Sequence, residues 1–132
     1  MQVNVGDPSA DPWIIVGDGV IIGAGSQLSA SAGIVLEAGV RLGEEVLILD
    51  NTHTYEDPST PIPLQPVRVG GPIRIGPGVY VGRGAVILMG VTIGEDAVIA
   101  DRSVVQHDVP PRAWVAGCPA RAVPPPPREP AR

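Results

Sequence analysis

An aliphatic residue returns at every sixth position along one stretch of this chain: Ile75, Val81, Ile87, Ile93, Ile99 and Val105. A helix needs a period near 3.6 and a half-buried flat strand a period of 2, so neither element builds this stretch. Four residues behind the first five of these stands a second, mostly smaller inward candidate, Val79, Ala85, Val91, Ala97 and Ser103, and three of the aliphatics are followed by Gly76, Gly82 and Gly94. The unit reads Ile-Gly-x-x-Val-x, a short strand with one large apolar side chain inward and a small residue where the backbone bends. Such periodicity predicts a parallel β-helix in which each repeat forms one wall and the coils stack about 4.8 Å apart. A sandwich of unrelated strands would instead show alternation with turn signals about every 8 to 12 residues, and that pattern is absent.

An earlier block carries the same signal. Val16, Ile22, Leu28 and Ile34 are six apart, with Val20, Ser26, Ala32 and Ala38 behind them; Leu42 and Ile48 then keep a shifted register with Val40 and Val46. The spacing predicts about two coils here, an irregularity near 36–39, and about two more coils after residue 73. Residues 1–13, punctuated by Gly6, Asp7-Pro8 and Asp11-Pro12, either form an incomplete first coil through Val3 and Val5 or close the open end of the stack. The reading is one all-β domain over 1–123, with an excursion at 50–72 and a proline-rich tail at 124–132 that is extended or disordered. Pro124 to Pro127 are consecutive prolines and cannot join a ladder.

Composition agrees and excludes some functions. The chain has 17 Gly, 16 Pro and no Phe among 132 residues, which suits tight turns and a narrow aliphatic interior. The net charge is -5, and all nine basic residues are Arg without a basic run, so no nucleic-acid partner is expected. No apolar run approaches the length of a membrane span. A single cysteine, Cys118, makes no internal disulfide, and the first residues do not read as an export leader. A cytoplasmic protein without a membrane partner is expected.

The excursion holds the chemistry. Ile48 to Ile75 is 27 residues, not a multiple of six, and Pro58, Pro61, Pro63 and Pro66 make the insertion a stiff, extended loop and not a helix. Long loops on regular scaffolds often carry function. His53 stands at its start, in Asp50-Asn51-Thr52-His53. It reads either as a general base, with a reference pKa of about 6.5, or as a solvated loop histidine. The other histidine is His107, and the two together offer zinc no closed ligand set unless subunits share one. Cys118 lies between Gly117 and Pro119, which neither activate nor orient a thiolate.

The C-terminal residues carry a family resemblance. Gly90-Val91-Thr92-Ile93-Gly94-Glu95-Asp96-Ala97-Val98-Ile99-Ala100, Ser103-Val104-Val105, Asp108-Val109-Pro110-Pro111 and Ala116-Gly117-Cys118-Pro119-Ala120-Arg121 resemble the hexapeptide-repeat acyltransferases. The nearest group is the maltose/galactoside and polysaccharide O-acetyltransferases, and the resemblance runs from about Val16 to Val123. It implies a left-handed parallel β-helix, a homotrimer, and acetyl-CoA as acyl donor with no metal. It places His53 on the catalytic histidine, and Arg83, Asp101, Gln106, His107 and Arg121 on positions that contact CoA, with Arg102 beside them; in the mechanism expected here, Asp50 or a neighbouring subunit's polar group orients His53. Asn51, Tyr55 and Glu56 are the candidates to touch a small-molecule acceptor. Asp101-Arg102 stands where the family carries Ala-Gly, Cys118 where it carries Asn, and Tyr80 where it carries Trp. A non-catalytic scaffold and a zinc enzyme of the γ-carbonic-anhydrase kind are the competing readings.

Overall fold

The computed structural model describes residues 2–5, 13–54 and 56–126, with residues 2–5 and 53 described by their backbone. Three walls of short parallel strands enclose one apolar core. Wall A stacks β1 (Gln2–Val5), β4 (Gln27–Ala30), β7 (Leu47–Leu49), β12 (Val86–Ile87) and β15 (Val104–Val105). Wall B stacks β2 (Ile14–Val16), β5 (Ile34–Leu36), β10 (Ile73–Ile75) and β13 (Thr92–Ile93), and Val109 adds a single parallel bridge to Ile93. Wall C stacks β3 (Ile21–Ile22), β6 (Arg41–Leu42), β11 (Tyr80–Val81), β14 (Val98–Ile99) and β16 (Trp114–Gly117), and ends with β17 (Ala120–Val123) folded back antiparallel on β16. β8 (Asn51–His53) and β9 (Val67–Val69) form a separate antiparallel pair. The fold is the expected left-handed β-helix, and β1 supplies part of a first coil by pairing with β4.

The six-residue ladder is the interior. Ile75, Val81, Ile87, Ile93, Ile99 and Val105 are at most 1% exposed, as are Val79, Ala85, Val91, Ala97 and Ser103. Ladder bonds alone do not choose this shape. Each strand is two to four residues long, so the walls hold only because every coil seats its aliphatics on those of the next.

Two expectations need correction. The irregularity of the first block lies at Ala30–Gly33 and not at 36–39, because Ile14 pairs with Ile34 and Val16 with Leu36. Those pairings make the step 20 residues, and the two extra are absorbed at the corner between walls A and B. Ala32 and Ala38 consequently leave the interior column, and Val40 and Val46 occupy it. The excursion, expected as an extended loop, is a hairpin whose base is the β8–β9 ladder and whose tip holds a 3-10 turn at Ile62–Leu64. Pro124, Pro125 and Pro126 are exposed and belong to no strand; the rest of the tail and residues 6–12 lie outside the described residues.

Corners are where polar groups gather. The second residue of each tight corner takes a positive φ, filled by Gly19, Gly39, Gly78, Asp96 and Arg112 between walls B and C, and by Gly25, Glu45, Gly84 and Arg102 between walls C and A. At Gly78 two constraints coincide, since a Cβ there would also lie 2.2 Å from Asp96 Oδ1 of the coil above.

Candidate active site

The excursion leaves the corner between walls A and B, and Asp50 anchors it. This residue is fully buried. Its Oδ1 accepts the Ser31 N–H at 2.7 Å, and its Oδ2 accepts those of Ala32 at 2.9 Å and Gly33 at 2.7 Å. The carboxylate thus closes the widened corner of the coil below. The Asp50 carbonyl in turn accepts the Gly70 N–H at 2.7 Å, which pins the two legs of the hairpin together.

From that root the ladder runs outward, pairing Asn51 with Val69, Thr52 with Arg68 and His53 with Val67. His53 is therefore the outermost residue of β8, three positions from a buried anchor. Asn51 is tied inward, its amide donating to the Ser29 carbonyl at 3.3 Å, to Ser29 Oγ at 3.2 Å and to Asp50 Oδ1 at 3.1 Å. Glu56 forms an exposed ion pair with Arg68. Tyr55 lies outside the described residues.

The six residues assigned to CoA fall into two groups, one on either side of wall A. Arg83, Asp101 and Arg102 stack on the corner between walls C and A. Arg83 N–H donates to Asp101 Oδ1 at 3.0 Å, and the Arg102 N–H to the Arg83 carbonyl at 2.8 Å. Arg121 lies just beyond this corner, paired with Ala116 across β16 and β17, near the cis Cys118–Pro119 bond. Gln106 and His107 are exposed and sit on the other corner, above Leu88–Gly90 and hence two coils, about 10 Å, above the excursion root. Met89 lies between, packed on Gly70 so closely that a Cβ there would be 2.3 Å from the Met89 side chain.

The first corner is not uniformly cationic. It carries Glu44, Glu45 and Asp101 against Arg83 and Arg102. A hydrogen bond from Arg83 to the Glu44 carboxylate, and then the charges of Glu44, Glu45 and Asp101, push the guanidinium above its ordinary pKa. It stays charged at any working pH, but one of its nitrogens is already engaged. Among the described residues no group of three or more His, Cys, Asp or Glu side chains is placed to hold a metal ion. No helix of the described residues is long and apolar enough to cross a membrane.

A shallow groove of about 550 Å³ opens elsewhere, on the outer face of wall B between Ile15, Val35, Arg74 and Pro77. It contains none of the candidate residues, and its polar edge is the Glu37–Arg74 ion pair at 2.8 Å. Chemistry therefore locates the candidate site at the excursion and not at this groove. The residues that organise the excursion, Thr54, Asp57 and Gln65, were not singled out in the sequence. Asp57-Pro58-Ser59-Thr60 was the available signal, since Asp ahead of Ser and Thr favours a side-chain-capped turn.

Fold and corner chemistry together define the class, a left-handed β-helix of hexapeptide repeats. Comparison with solved structures matches that class to enzymes the sequence already resembles. A hexapeptide-repeat acetyltransferase of Vibrio cholerae, solved with acetyl coenzyme A, superposes with a TM-score of 0.78 at 29% identity, over 94% of this chain and 66% of that one. A maltose O-acetyltransferase of Clostridium difficile superposes at 0.72 with 25% identity, over 93% and 65%. The polysialic-acid-specific acetyltransferase NeuO does so at 0.69 with 26% identity, over 85% and 51%. This chain spans about two thirds of the first two and half of the third. No family model and no curated protein sequence matches it.

Proposed function

We propose that this chain is an acyl-CoA-dependent acyltransferase, specifically an O-acetyltransferase that moves acetyl from acetyl-CoA to a hydroxyl of a sugar or another small molecule. The observation that carries the reading is its likeness, over 94% of its length, to an acetyltransferase solved with acetyl coenzyme A. His53 is the proposed general base. Its imidazole takes the acceptor hydroxyl proton as that oxygen attacks the thioester carbonyl. Backbone N–H groups at the coil turns stabilise the oxyanion, the C–S bond breaks, and the imidazolium returns the proton to the leaving CoA sulfur. No acyl-enzyme forms. Asp50 serves this step through the backbone, because its carboxylate is occupied at the corner below.

The proposed unit is a homotrimer. The division of Arg83, Asp101, Arg102 and Arg121 from Gln106 and His107 supports it, since a groove between two copies can bring one corner of each to the same ligand. Arginine and histidine suit the pyrophosphate and 3′-phosphate of CoA. Asn51, Tyr55 and Glu56 are proposed for the acceptor side. The proposed compartment is the cytoplasm, where a lone thiol such as Cys118 stays reduced.

Thiol release from acetyl-CoA with pools of hydroxyl acceptors tests the reading. His53→Ala is expected to lower turnover by roughly 10² to 10⁴ while CoA binding persists. Undiminished transfer by that variant would falsify the mechanism. A second reading, a non-catalytic scaffold, is favoured by the acidic neighbours of Arg83. Calorimetric titration separates the two, because a scaffold gives no heat with millimolar acetyl-CoA.

A further inference from the structure

We infer that Gln65 is a positioning residue for the proposed base, acting through the main chain on either side of His53. The inference rests on reading His53 as the base. It begins from the fact that the fold does not need the excursion. One coil later, the same corner between walls A and B is turned by residues 88–91 without an insertion. The hairpin therefore serves something other than closure of the coil, and its internal order shows what is being held.

Beyond the β8–β9 ladder, which ends at the His53–Val67 pair, the chain would be free to splay. Next to His53 one acceptor holds it, and the Glu56–Arg68 ion pair also joins the two legs. The Pro66 carbonyl takes both the Thr54 N–H at 3.0 Å and the Thr54 hydroxyl at 2.8 Å. Pro66 has no N–H to return, so the clamp next to His53 depends on where that carbonyl points.

Gln65, the residue before it, fixes that direction. It is 7% exposed, in a hairpin tip whose apolar Ile62 and Leu64 are 50% and 76% exposed. Its Nε2 donates to the Asp57 carbonyl at 2.9 Å and to the Thr60 carbonyl at 2.8 Å. Both amide protons are thus used to tie the outgoing leg to the returning one. A loop ordered for its own stability would bury leucine and expose glutamine. This one does the reverse, and the amide it buries lies at the joint that sets the Thr54–Pro66 clamp.

A general base works only within hydrogen-bond reach of its proton, and a misplacement of about 1 Å costs about 10² in rate. The test compares Gln65→Met, which keeps the length and removes both donors, with His53→Ala, measuring thiol release from acetyl-CoA with maltose, or water alone, as acceptor. Gln65→Met is expected to lower kcat by about 10 to 10², with KM for acetyl-CoA and the thermal melt of the β-helix unchanged. The imidazole Cε1–H signal of His53, assigned by its loss in His53→Ala, is expected to broaden or split in Gln65→Met. Wild-type kcat with an unchanged His53 signal in Gln65→Met overturns the positioning role. Full turnover in His53→Ala overturns the base reading beneath it. If Gln65→Met also lowers the melt, Thr54→Val decides, since it removes one hydroxyl from the clamp. A fall in its kcat at constant KM supports the inference and an unchanged kcat overturns it.

Discussion

Asp50 shows how a side chain three residues from a candidate base can be engaged elsewhere. Three main-chain N–H groups and the Asn51 amide surround its two oxygens, so each acceptor position that faces the corner is filled. Asp50→Asn would aim an NH₂ group at amides that need an acceptor, and a buried unsatisfied donor costs about 1 to 3 kcal/mol. Urea denaturation of Asp50→Asn is expected to show that loss, and a wild-type midpoint would mean the corner is held by other groups. The sequence suggested Asp50 or a neighbouring subunit's polar group as the orienter of His53. The main-chain partners of Asp50 lie 17 to 19 residues back in the chain, and a two-residue slip concealed which coil faced which. Asp101 was hidden in the same way. Expected beside a cofactor, it receives the Arg83 N–H of the coil below.

At the scale of the element, the hairpin is stabilised by carboxylate and amide groups and exposes its apolar residues. Asp57 takes the Ser59 hydroxyl at 2.6 Å, the Ser59 N–H at 2.9 Å and the Thr60 hydroxyl at 2.8 Å. These bonds, the Ser59 hydroxyl foremost, hold its carboxyl below the ordinary 3.8. A group depressed on folding contributes fully above its unfolded value and loses that contribution as pH falls through the folded one. The Ser59 amide signal is therefore expected to stay constant from about pH 8 to about pH 5, with the midpoint of its titration below 3.8. Titration of that signal near neutrality would contradict the assignment. The sequence announced that something left the coil here, through four prolines and a broken period. It did not announce a hairpin, because Asn51-Thr52-His53 and Val67-Arg68-Val69 are too short for alternation to register.

For the whole molecule, stability follows position in the stack. Ile87 is fully buried in the middle of wall A, whereas Val16, though on the inward register of wall B, is 49% exposed in the terminal row of that wall. Ile87→Ala is expected to cost about 2 to 5 kcal/mol and Val16→Ala under about 1 kcal/mol. Equal losses in thermal denaturation would show that the coils do not add as neighbours. The ladder from Ile75 to Val105 was legible in full because an interior stripe repeats, and repetition is what a single sequence displays. The pairing of the candidate CoA residues into two corner groups was not legible. It depends on which wall each hexapeptide joins, and insertions in the two coils before Ile73 shift that count.

One habit of the corners bears on the order in which the molecule is made. Asp50 receives amides 17 to 19 residues before it, Asp101 one 18 residues before it, and Asp108 the Thr92 N–H 16 residues before it at 2.8 Å. In each case the acid arrives after the amides it receives. A chain emerging from the ribosome therefore holds each of these three corners open until another coil has been synthesised, and each of the three is sealed by its successor. The β-helix is in this sense locked from behind.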